Sequence, residues 1–207
     1  MKLYYAPGAC SLAPHIALGE SGLPYATERV DLRSHTFAGG ADYYDVNPKG
    51  YVPVLEVDSG ERLTEVAVIL QYIADLKPGT LAPEFGSLER YRVMEWLNFI
   101  ATEIHKGLSP LWKPTTPDAY KAVILENVGS RFDHVVKSLG DRPYVTGDRF
   151  TIVDAYLFTI VNWHNFLKFD LARWPKLDAY QARVAARPAV QAVLKAEHLL
   201  KPAAKAA

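Results

Sequence analysis

The first third of the chain alternates short apolar strands with an apolar helical run. "KLYYA" (2–6) and "TERVDL" (27–32) have the composition and alternation of strands. Ser11–Ser21, between them, has helical spacing that ends at Gly22. This order predicts a βαβ unit with parallel strands and a right-handed crossover.

Two more strands and a helix follow a polar, glycine-containing stretch. "VPVLEVD" (52–58) and "ERLT" (61–64), separated by Ser–Gly, predict a hairpin, and "EVAVILQYIADL" (65–76) predicts an apolar helix. We therefore expect an α+β domain over residues 1–79, in which helices pack on a four-stranded mixed sheet.

The pattern changes after "KPGTLAP" (77–83), a segment whose prolines and glycine suit neither helix nor strand. Beyond this linker every apolar run has helical spacing. The predicted helices cover residues 87–112, 117–140, 151–166, 176–187 and 189–197. We expect an all-α domain over 86–207, with the small, polar tail 201–207 frayed.

Composition narrows the class of protein. The 207 residues can bury a core without disulfides or metals, and 23 basic side chains balance 23 acidic ones. Zero net charge provides no field to attract nucleic acid or an anionic membrane, and neither partner is expected. The first residues lack the pattern of a secretion signal, and no apolar run reaches the length of a membrane span. These features predict a cytoplasmic protein.

The chain has a single cysteine, Cys10, at the start of the first predicted helix. One cysteine excludes an intramolecular disulfide and a multi-cysteine zinc or iron–sulfur site, so no metal is expected. A helix N-terminus favours the thiolate, and Ser11 could cap the helix or donate to a sulfur atom. Free cysteines are also common as small buried apolar residues, so both interpretations of Cys10 stay open.

Two further positions could bind a peptide-like ligand. A cis Val52–Pro53 bond would turn the backbone of Val52 outward, whereas an ordinary trans proline at a strand start is the alternative. Glu65, beside the backbone amide of Val66 at a predicted helix start, could bind both ends of an amino-acid zwitterion. Glu65 could equally do no more than favour the helix dipole.

The long helix carries a polar stripe. Asn98, Thr102 and His105 recur at helical spacing, with Lys106 adjacent. Such a stripe is either a solvated face or the second wall of a cleft, where a histidine can exchange a proton near neutral pH.

Thr151 and Asp154 form a capping-box pattern, in which each side chain bonds a backbone amide at the start of the helix. We assign both residues a structural role.

In order and spacing, four segments resemble the glutathione S-transferases, and the bacterial beta class most of all. They are "KLYYAPGACSLAPHIAL", "NPKGYVPVLEVDSGERLTE", "EWLNFIATEIHKGLSPLW" and "GDRFTIVDAYLF". The resemblance implies a thioredoxin-like N-terminal domain that binds glutathione as co-substrate and a helical domain that supplies the pocket for a small apolar electrophile. It also implies a homodimer and a role in detoxification.

The resemblance also implies roles for individual residues. Cys10 would contact the glutathione sulfur or form a mixed disulfide with it, and Val52, next to a cis Pro53, would pair with the cysteinyl part. Glu65 and the Val66 amide would hold the γ-glutamyl group. The remaining implied ligands are His35, where relatives often have a lysine, then Thr102, Glu103, His105 and Lys106, and Asn98, which would reach the ligand of the neighbouring subunit.

The expected chemistry is attack of the glutathione thiolate on an electrophilic carbon. Ser11, His105 and the first helix are the candidates for lowering the pKa of the bound thiol. The candidate catalytic residues are therefore Cys10, Ser11 and His105. Aromatic side chains that could hold the acceptor are Tyr5, Phe99, Trp112 and Trp163. Two alternatives stay open: monothiol exchange through Cys10 with glutathione as the resolving thiol, and binding of glutathione or apolar ligands without turnover.

Overall fold

The N-terminal part of the computed structural model, which describes residues 1–167 and 169–200, is a mixed sheet in the order β4-β3-β2-β1-β5-β6. The strands are β1 (Lys2–Tyr5), β2 (Ala26–Asp31), β3 (Thr36–Phe37), β4 (Ala41–Asp42), β5 (Val54–Glu56) and β6 (Arg62–Leu63). β1 and β2 are parallel, and the other pairs are antiparallel.

The expected four-stranded sheet is wrong in strand number, since six strands form it. The four expected strands are all present, and the two-residue strands β3 and β4 extend the sheet beyond β2. Gly39 and Gly40, both with positive φ, make the turn between them. A strand of two residues is too short to show an alternating pattern, so this hairpin could not be predicted from the sequence.

The βαβ unit forms as predicted. Helix α1 (Leu12–Ser21) connects β1 to β2 and ends at Gly22, which adopts the left-handed conformation at φ 66°. Helix α2 (Val66–Asp75) follows the β5–β6 hairpin and packs beside α1. Together these helices cover one face of the sheet with apolar side chains.

The rest of the described chain is helical. Its helices are α3 (Leu88–Phe99), α4 (Lys106–Leu108), α5 (Asp118–Leu139), α6 (Ile152–Val161), α7 (His164–Leu167), α8 (Pro175–Ala185) and α9 (Pro188–Ala196). The expected helix 87–112 is continuous but not uniform. A π-helical segment, Ile100–His105, joins α3 to α4, and a 3₁₀ turn, Ser109–Trp112, follows.

Helix α6 is the centre of the core. All of its residues are buried, and it packs against α1, α2, α3 and α8. Apolar side chains of the sheet, α1 and α2 therefore join those of the later helices in one continuous core. This shared core holds the sheet and the later helices in fixed relative positions, and with them the loops at their junction.

The capping box at the start of α6 is confirmed. Thr151 Oγ1 accepts from the Val153 amide at 3.3 Å, and Asp154 Oδ2 accepts from the Thr151 amide at 2.9 Å. The other oxygen of Asp154 accepts from the Val145 amide at 3.1 Å and the Tyr180 hydroxyl at 3.0 Å. The buried carboxylate thus ties the start of α6 to α8 and to the preceding loop.

Within residues 1–167 and 169–200, no helix is long and apolar enough to cross a membrane. The predicted fraying of residues 201–207, and with it the end of the expected domain 86–207, lies outside the described residues.

Candidate active site

A cavity of about 330 Å³ opens where the starts of α1, β5 and α2 face the segment from the π-helix to the 3₁₀ turn. Its lining residues are Cys10, Tyr51, Val52, Pro53, Glu65, Val66, Ala101, His105, Lys106, Ser109 and Tyr156. A larger cavity, of about 820 Å³, lies beside the linker and the start of α3. We place the site in the smaller cavity because it contains the sole cysteine, a histidine and the start of a helix.

Cys10 lies in the turn before α1, and its Sγ donates a hydrogen bond to the backbone oxygen of Val52 at 3.3 Å. Burial, with a smaller contribution from the negative charge of Glu65, raises the pKa of the thiol to about 12. Hydrogen bonds from the backbone at Cys10 and Ser11 lower it by less. Desolvation therefore outweighs the backbone hydrogen bonds at the helix start, and in the unliganded site Cys10 is a thiol at neutral pH, although a helix N-terminus by itself favours the thiolate.

Ser11 does not face the cavity, contrary to expectation. The residue is 0% exposed; its hydroxyl donates to the Ala6 oxygen at 3.2 Å and accepts from the Ala6 amide at 3.1 Å. Because a hydroxyl has one proton, none is left for a bound sulfur atom. The side chain neither activates a thiol nor caps α1; it fixes the loop that precedes Cys10.

The same loop is held from the far end of the chain. The Gly8 amide donates to Glu197 Oε2 at 2.9 Å, and Trp163 Nε1 donates to the Gly8 oxygen at 2.9 Å. The other oxygen of Glu197 lies 2.7 Å from His15 Nδ1 on α1. Both Glu197 and His15 are buried, so the loop carrying Cys10 is fixed on each side.

The Val52–Pro53 peptide bond is cis, as the peptide-binding interpretation requires. It lies just before β5 in the wall of the cavity, with the Val52 oxygen toward Cys10. The backbone of Val52 is therefore at the position where a ligand's peptide group and a sulfur atom could both be reached.

Glu65 precedes α2 with φ 68°, a conformation that residues other than glycine rarely adopt. Its side chain is 59% exposed and does not cap the helix. Instead, Oε1 accepts from Lys49 Nζ at 3.0 Å and from the Tyr51 hydroxyl at 3.2 Å. The carboxylate is thus held at the mouth of the cavity, beside the amide of Val66 at the helix N-terminus.

His105 forms the opposite wall, at the end of the π-helical segment. Its Nδ1 lies 2.7 Å from the hydroxyl of the buried Tyr156, and its ring packs edge-on against Trp163 at 5.1 Å. Burial, reinforced by the charge of Lys106, lowers the pKa of His105 to about 4. The imidazole is therefore neutral at physiological pH, and it can accept a proton or a hydrogen bond.

The polar stripe divides at the π-helical segment. Asn98 and Thr102 are exposed and bond back to their own helix, whereas His105 and Lys106 line the cavity. Glu103, expected as a ligand, points to the other side and accepts two hydrogen bonds from Arg131 on α5, at 2.8 and 3.0 Å. A π-helix has more residues per turn than an α-helix, so α-helical spacing assigns its faces incorrectly.

His35 lies outside the cavity lining. It follows β2 with φ 53°, stacks on Tyr44 at a ring separation of 4.8 Å, and its oxygen accepts from the Tyr43 amide. Within the described chain its buried Nδ1 has no hydrogen-bond partner. In this structure His35 is therefore not positioned to contact a ligand in the cavity.

The aromatic side chains expected around an acceptor do not line the cavity. Tyr5 packs against His15, and Phe99 against Trp96 and His134. Trp112 and Trp163 contact each other at 5.3 Å behind His105.

Four lining residues were missed: Tyr51, Ala101, Ser109 and Tyr156. Ala101 lies inside the π-helical segment, where helical spacing does not assign faces correctly. The others carry no signal of their own.

In the described part of the chain, no group of three or more histidine, cysteine, aspartate or glutamate side chains is arranged to hold a metal ion.

Family models match both halves of the chain. "Glutathione S-transferase, N-terminal domain" covers residues 8–76, and "Glutathione S-transferase, C-terminal domain" covers 99–188. The chain belongs to the glutathione S-transferase family. Glutathione S-transferase GstA of Escherichia coli O157:H7 is 47% identical over 201 residues, which are 96% of this chain and 100% of that protein.

Solved structures place the chain near the beta class. A beta-class transferase of Sphingomonas chungbukensis superposes with a TM-score of 0.92 at 45% identity, over 97% of this chain and 100% of that one. A sphingomonad transferase complexed with glutathione superposes with a TM-score of 0.92 at 46% identity, over the same shares. The resemblance to the bacterial beta class is confirmed.

Proposed function

We propose that the protein is a glutathione transferase that conjugates glutathione to small apolar electrophiles. The observation that carries the proposal is the convergence of Cys10, the Val52 backbone, Glu65 and His105 on one cavity. The relative solved with glutathione, at 46% identity over nearly the whole chain, supports glutathione as the ligand.

Residues around the cavity could bind the γ-glutamyl and the cysteinyl residue of glutathione. Glu65 carries the negative charge that the ammonium group of the γ-glutamyl residue requires, and the free amide of Val66 suits its carboxylate. The Val52 backbone pairs with the cysteinyl residue, which brings the glutathione sulfur next to Cys10. His35, Asn98, Thr102 and Glu103 remain expectations of the resemblance alone.

Conjugation follows from these positions. The glutathione thiol loses its proton to solvent; neutral His105 can accept a hydrogen bond in the cavity, but a pKa of about 4 makes it too weak a base to keep that proton. The Cys10 thiol keeps its own proton at neutral pH, and once the ligand's backbone occupies the Val52 oxygen, the thiol can turn its one hydrogen bond from that oxygen to the resulting thiolate. The thiolate then forms a bond to the electrophilic carbon, and a leaving group such as halide departs with the bonding electrons.

The proposal extends to the setting of the reaction. We extend it to a homodimer in the cytoplasm that detoxifies reactive apolar compounds, since a chain with one cysteine forms no intramolecular disulfide, as is usual in a reducing compartment. We retain the division into a glutathione-binding domain, 1–79, and a helical domain, 86–207, that supplies the acceptor pocket.

Thiol–disulfide exchange is the second candidate, because Cys10 lines the cavity. In that reaction the Cys10 thiolate attacks the glutathione sulfur of a mixed disulfide and releases the other thiol. A second glutathione then attacks the Cys10–glutathione disulfide, releasing oxidised glutathione and regenerating the Cys10 thiolate. A pKa near 12 leaves little thiolate at neutral pH, which places this candidate second.

The test is the initial rate of conjugation of 1-chloro-2,4-dinitrobenzene with glutathione between pH 6 and 8. We expect the wild type to exceed the uncatalysed rate and Cys10→Ala to keep most of that activity, whereas Glu65→Gln raises the KM for glutathione. A wild type at the uncatalysed rate would refute the proposal. Collapse of activity in Cys10→Ala, with glutathione still bound, would instead make exchange the leading candidate.

A further inference from the structure

Lys49, which does not itself line the cavity, is hydrogen-bonded to Glu65, the lining residue that would bind the γ-glutamyl group. Lys49 Nζ lies 3.0 Å from Glu65 Oε1 and 3.1 Å from Thr64 Oγ1. It also lies 5.7 Å from the centre of the Tyr51 ring. The hydrogen bond to Glu65 raises the pKa of Lys49, so the side chain is a cation throughout the physiological range.

The turn that presents Lys49 is rigid. Asn47 is 2% exposed; its Oδ1 accepts from the Lys49 amide at 3.1 Å, and its Nδ2 donates to the Tyr51 oxygen at 2.6 Å. Gly50 has φ 73°, and a Cβ there would lie 2.6 Å from the Tyr44 ring. The backbone positions of Lys49 and Tyr51 relative to Glu65 are therefore fixed before any ligand binds.

The ligand chemistry calls for two opposite charges at this place. The end of a γ-glutamyl group is a zwitterion, with an ammonium and a carboxylate on one carbon atom. Glu65 supplies the negative partner, and the side chain of Val66 offers no hydroxyl to the carboxylate. Lys49 is the cation paired with Glu65, whereas Lys106 lines the opposite wall. Without Lys49, the ligand carboxylate would lie beside Glu65 with neutral groups, such as the Val66 amide and the Tyr51 hydroxyl, as its neighbours.

We propose that Lys49 determines specificity for the γ-glutamyl group by binding its α-carboxylate while Glu65 binds its α-ammonium. The inference rests on the proposed function, since it assigns a further ligand to the same site. Lys49 Nζ moves from Glu65 Oε1 toward the ligand carboxylate, and the Tyr51 hydroxyl, 3.2 Å from Oε1, keeps Glu65 in place.

The competing explanation is an ordinary surface ion pair. Lys49 is 47% exposed and Glu65 is 59% exposed, and such pairs contribute little to stability. The two explanations predict different results. If Lys49 binds the α-carboxylate, replacing Lys49 weakens binding only of ligands that have this carboxylate; a surface ion pair predicts no such dependence.

The experiment compares glutathione with γ-aminobutyryl-cysteinyl-glycine, which lacks only the α-carboxylate. For each thiol, kcat/KM with 1-chloro-2,4-dinitrobenzene and the dissociation constant from calorimetry are measured in wild type, Lys49→Met and Lys49→Arg. Lys121→Met is the matched control, because Lys121 forms a comparable exposed pair with Asp118, at 2.8 Å on α5.

We expect Lys49→Met to lower kcat/KM and affinity for glutathione about tenfold and to change those for the analogue less than twofold. Lys49→Arg should restore most of the preference, and Lys121→Met should leave it intact. Equal losses on both thiols, or no loss on either, would overturn the inference while a catalytically active wild type still supports the transferase function. If the wild type binds glutathione without turnover, the calorimetric comparison still decides the role of Lys49.

Discussion

The Sγ atom of Cys10 donates its hydrogen bond to the backbone oxygen of Val52, 3.3 Å away. A thiolate could not make this contact, since it has no proton to donate and would face a carbonyl oxygen. Together with burial, the contact accounts for a cysteine that stays a thiol although it lies at a helix start. The arrangement suits a group that assists another sulfur atom better than one that attacks by itself.

Cys10 should therefore react slowly with iodoacetamide in the unliganded protein. With a pKa near 12 in place of 9.0, its thiolate fraction at pH 7 is about a thousandfold below that of an ordinary thiol. We expect the rate to rise about tenfold per pH unit up to pH 10, as followed by mass spectrometry. Cys10→Ser is the control, since it removes the only cysteine, and a rate that levels off below pH 9 would contradict the assignment.

His105 should make stability depend on pH. Its pKa falls from 6.5 to about 4 on folding, so the unfolded chain binds more protons between these values. Above pH 6.5 the titration of His105 does not affect the free energy of unfolding. As the pH falls from 6.5 toward 4, this titration lowers the free energy of unfolding by up to about 3 kcal/mol. Urea unfolding of wild type and His105→Gln should show a stability difference that shrinks across this window.

The difference between the two proteins is the informative quantity, because Asp154 acts in the opposite direction. Burial raises the pKa of Asp154 from 3.8 to about 6, so its contribution declines as pH rises through the same range. The wild-type profile alone would combine both groups. A stability difference between wild type and His105→Gln that stays constant from pH 4 to 7 would contradict the lowered pKa of His105.

The capping box of α6 should be costly to remove. Thr151→Ala loses one cap and should lower the free energy of unfolding by about 1–2 kcal/mol. Asp154→Ala should cost about 3 kcal/mol or more, since the Val145 and Thr151 amides and the Tyr180 hydroxyl lose their acceptor. Urea unfolding measures both, with the exposed Asp118→Ala as a control expected within about 0.5 kcal/mol.

Glu103→Gln tests the orientation of the π-helical segment. Glu103 bonds Arg131 instead of lining the cavity, so the KM for glutathione should change less than twofold and stability by less than about 1 kcal/mol. Glu65→Gln, assayed in parallel, should raise that KM at least tenfold. A similar rise for both variants would show that Glu103 reaches the ligand.

The sequence predicts the fold well where local signals agree with packing. Gly22 ends α1, the Thr151–Asp154 pattern starts α6, and the linker separates the sheet from the helical part, because each depends on short-range chemistry. The β3–β4 hairpin escapes prediction since two-residue strands have no periodicity. Lys49 was missed for a different reason: its position depends on a turn fixed by a buried Asn47 side chain.

The candidate site is predicted in part. Cys10, Val52, Glu65 and His105 do meet in one cavity, but their catalytic and binding roles remain predictions. Ser11 was misplaced because its neighbour Ala6 competes for the hydroxyl, a contact that no spacing reveals. Tyr156 lies on a helix whose every residue is buried, so its pattern cannot show which side faces a cavity.

The two hydrogen bonds on Gly8 join residues that lie far apart in the order of synthesis. The loop that carries Cys10 leaves the ribosome before its partners do, because Trp163 follows Gly8 by 155 residues and Glu197 follows it by 189. A nascent chain therefore carries its cysteine long before the loop acquires its final form. For the same reason, residues 1–79 joined to another protein would lack Trp163 and Glu197, the two side chains that hold Gly8 here.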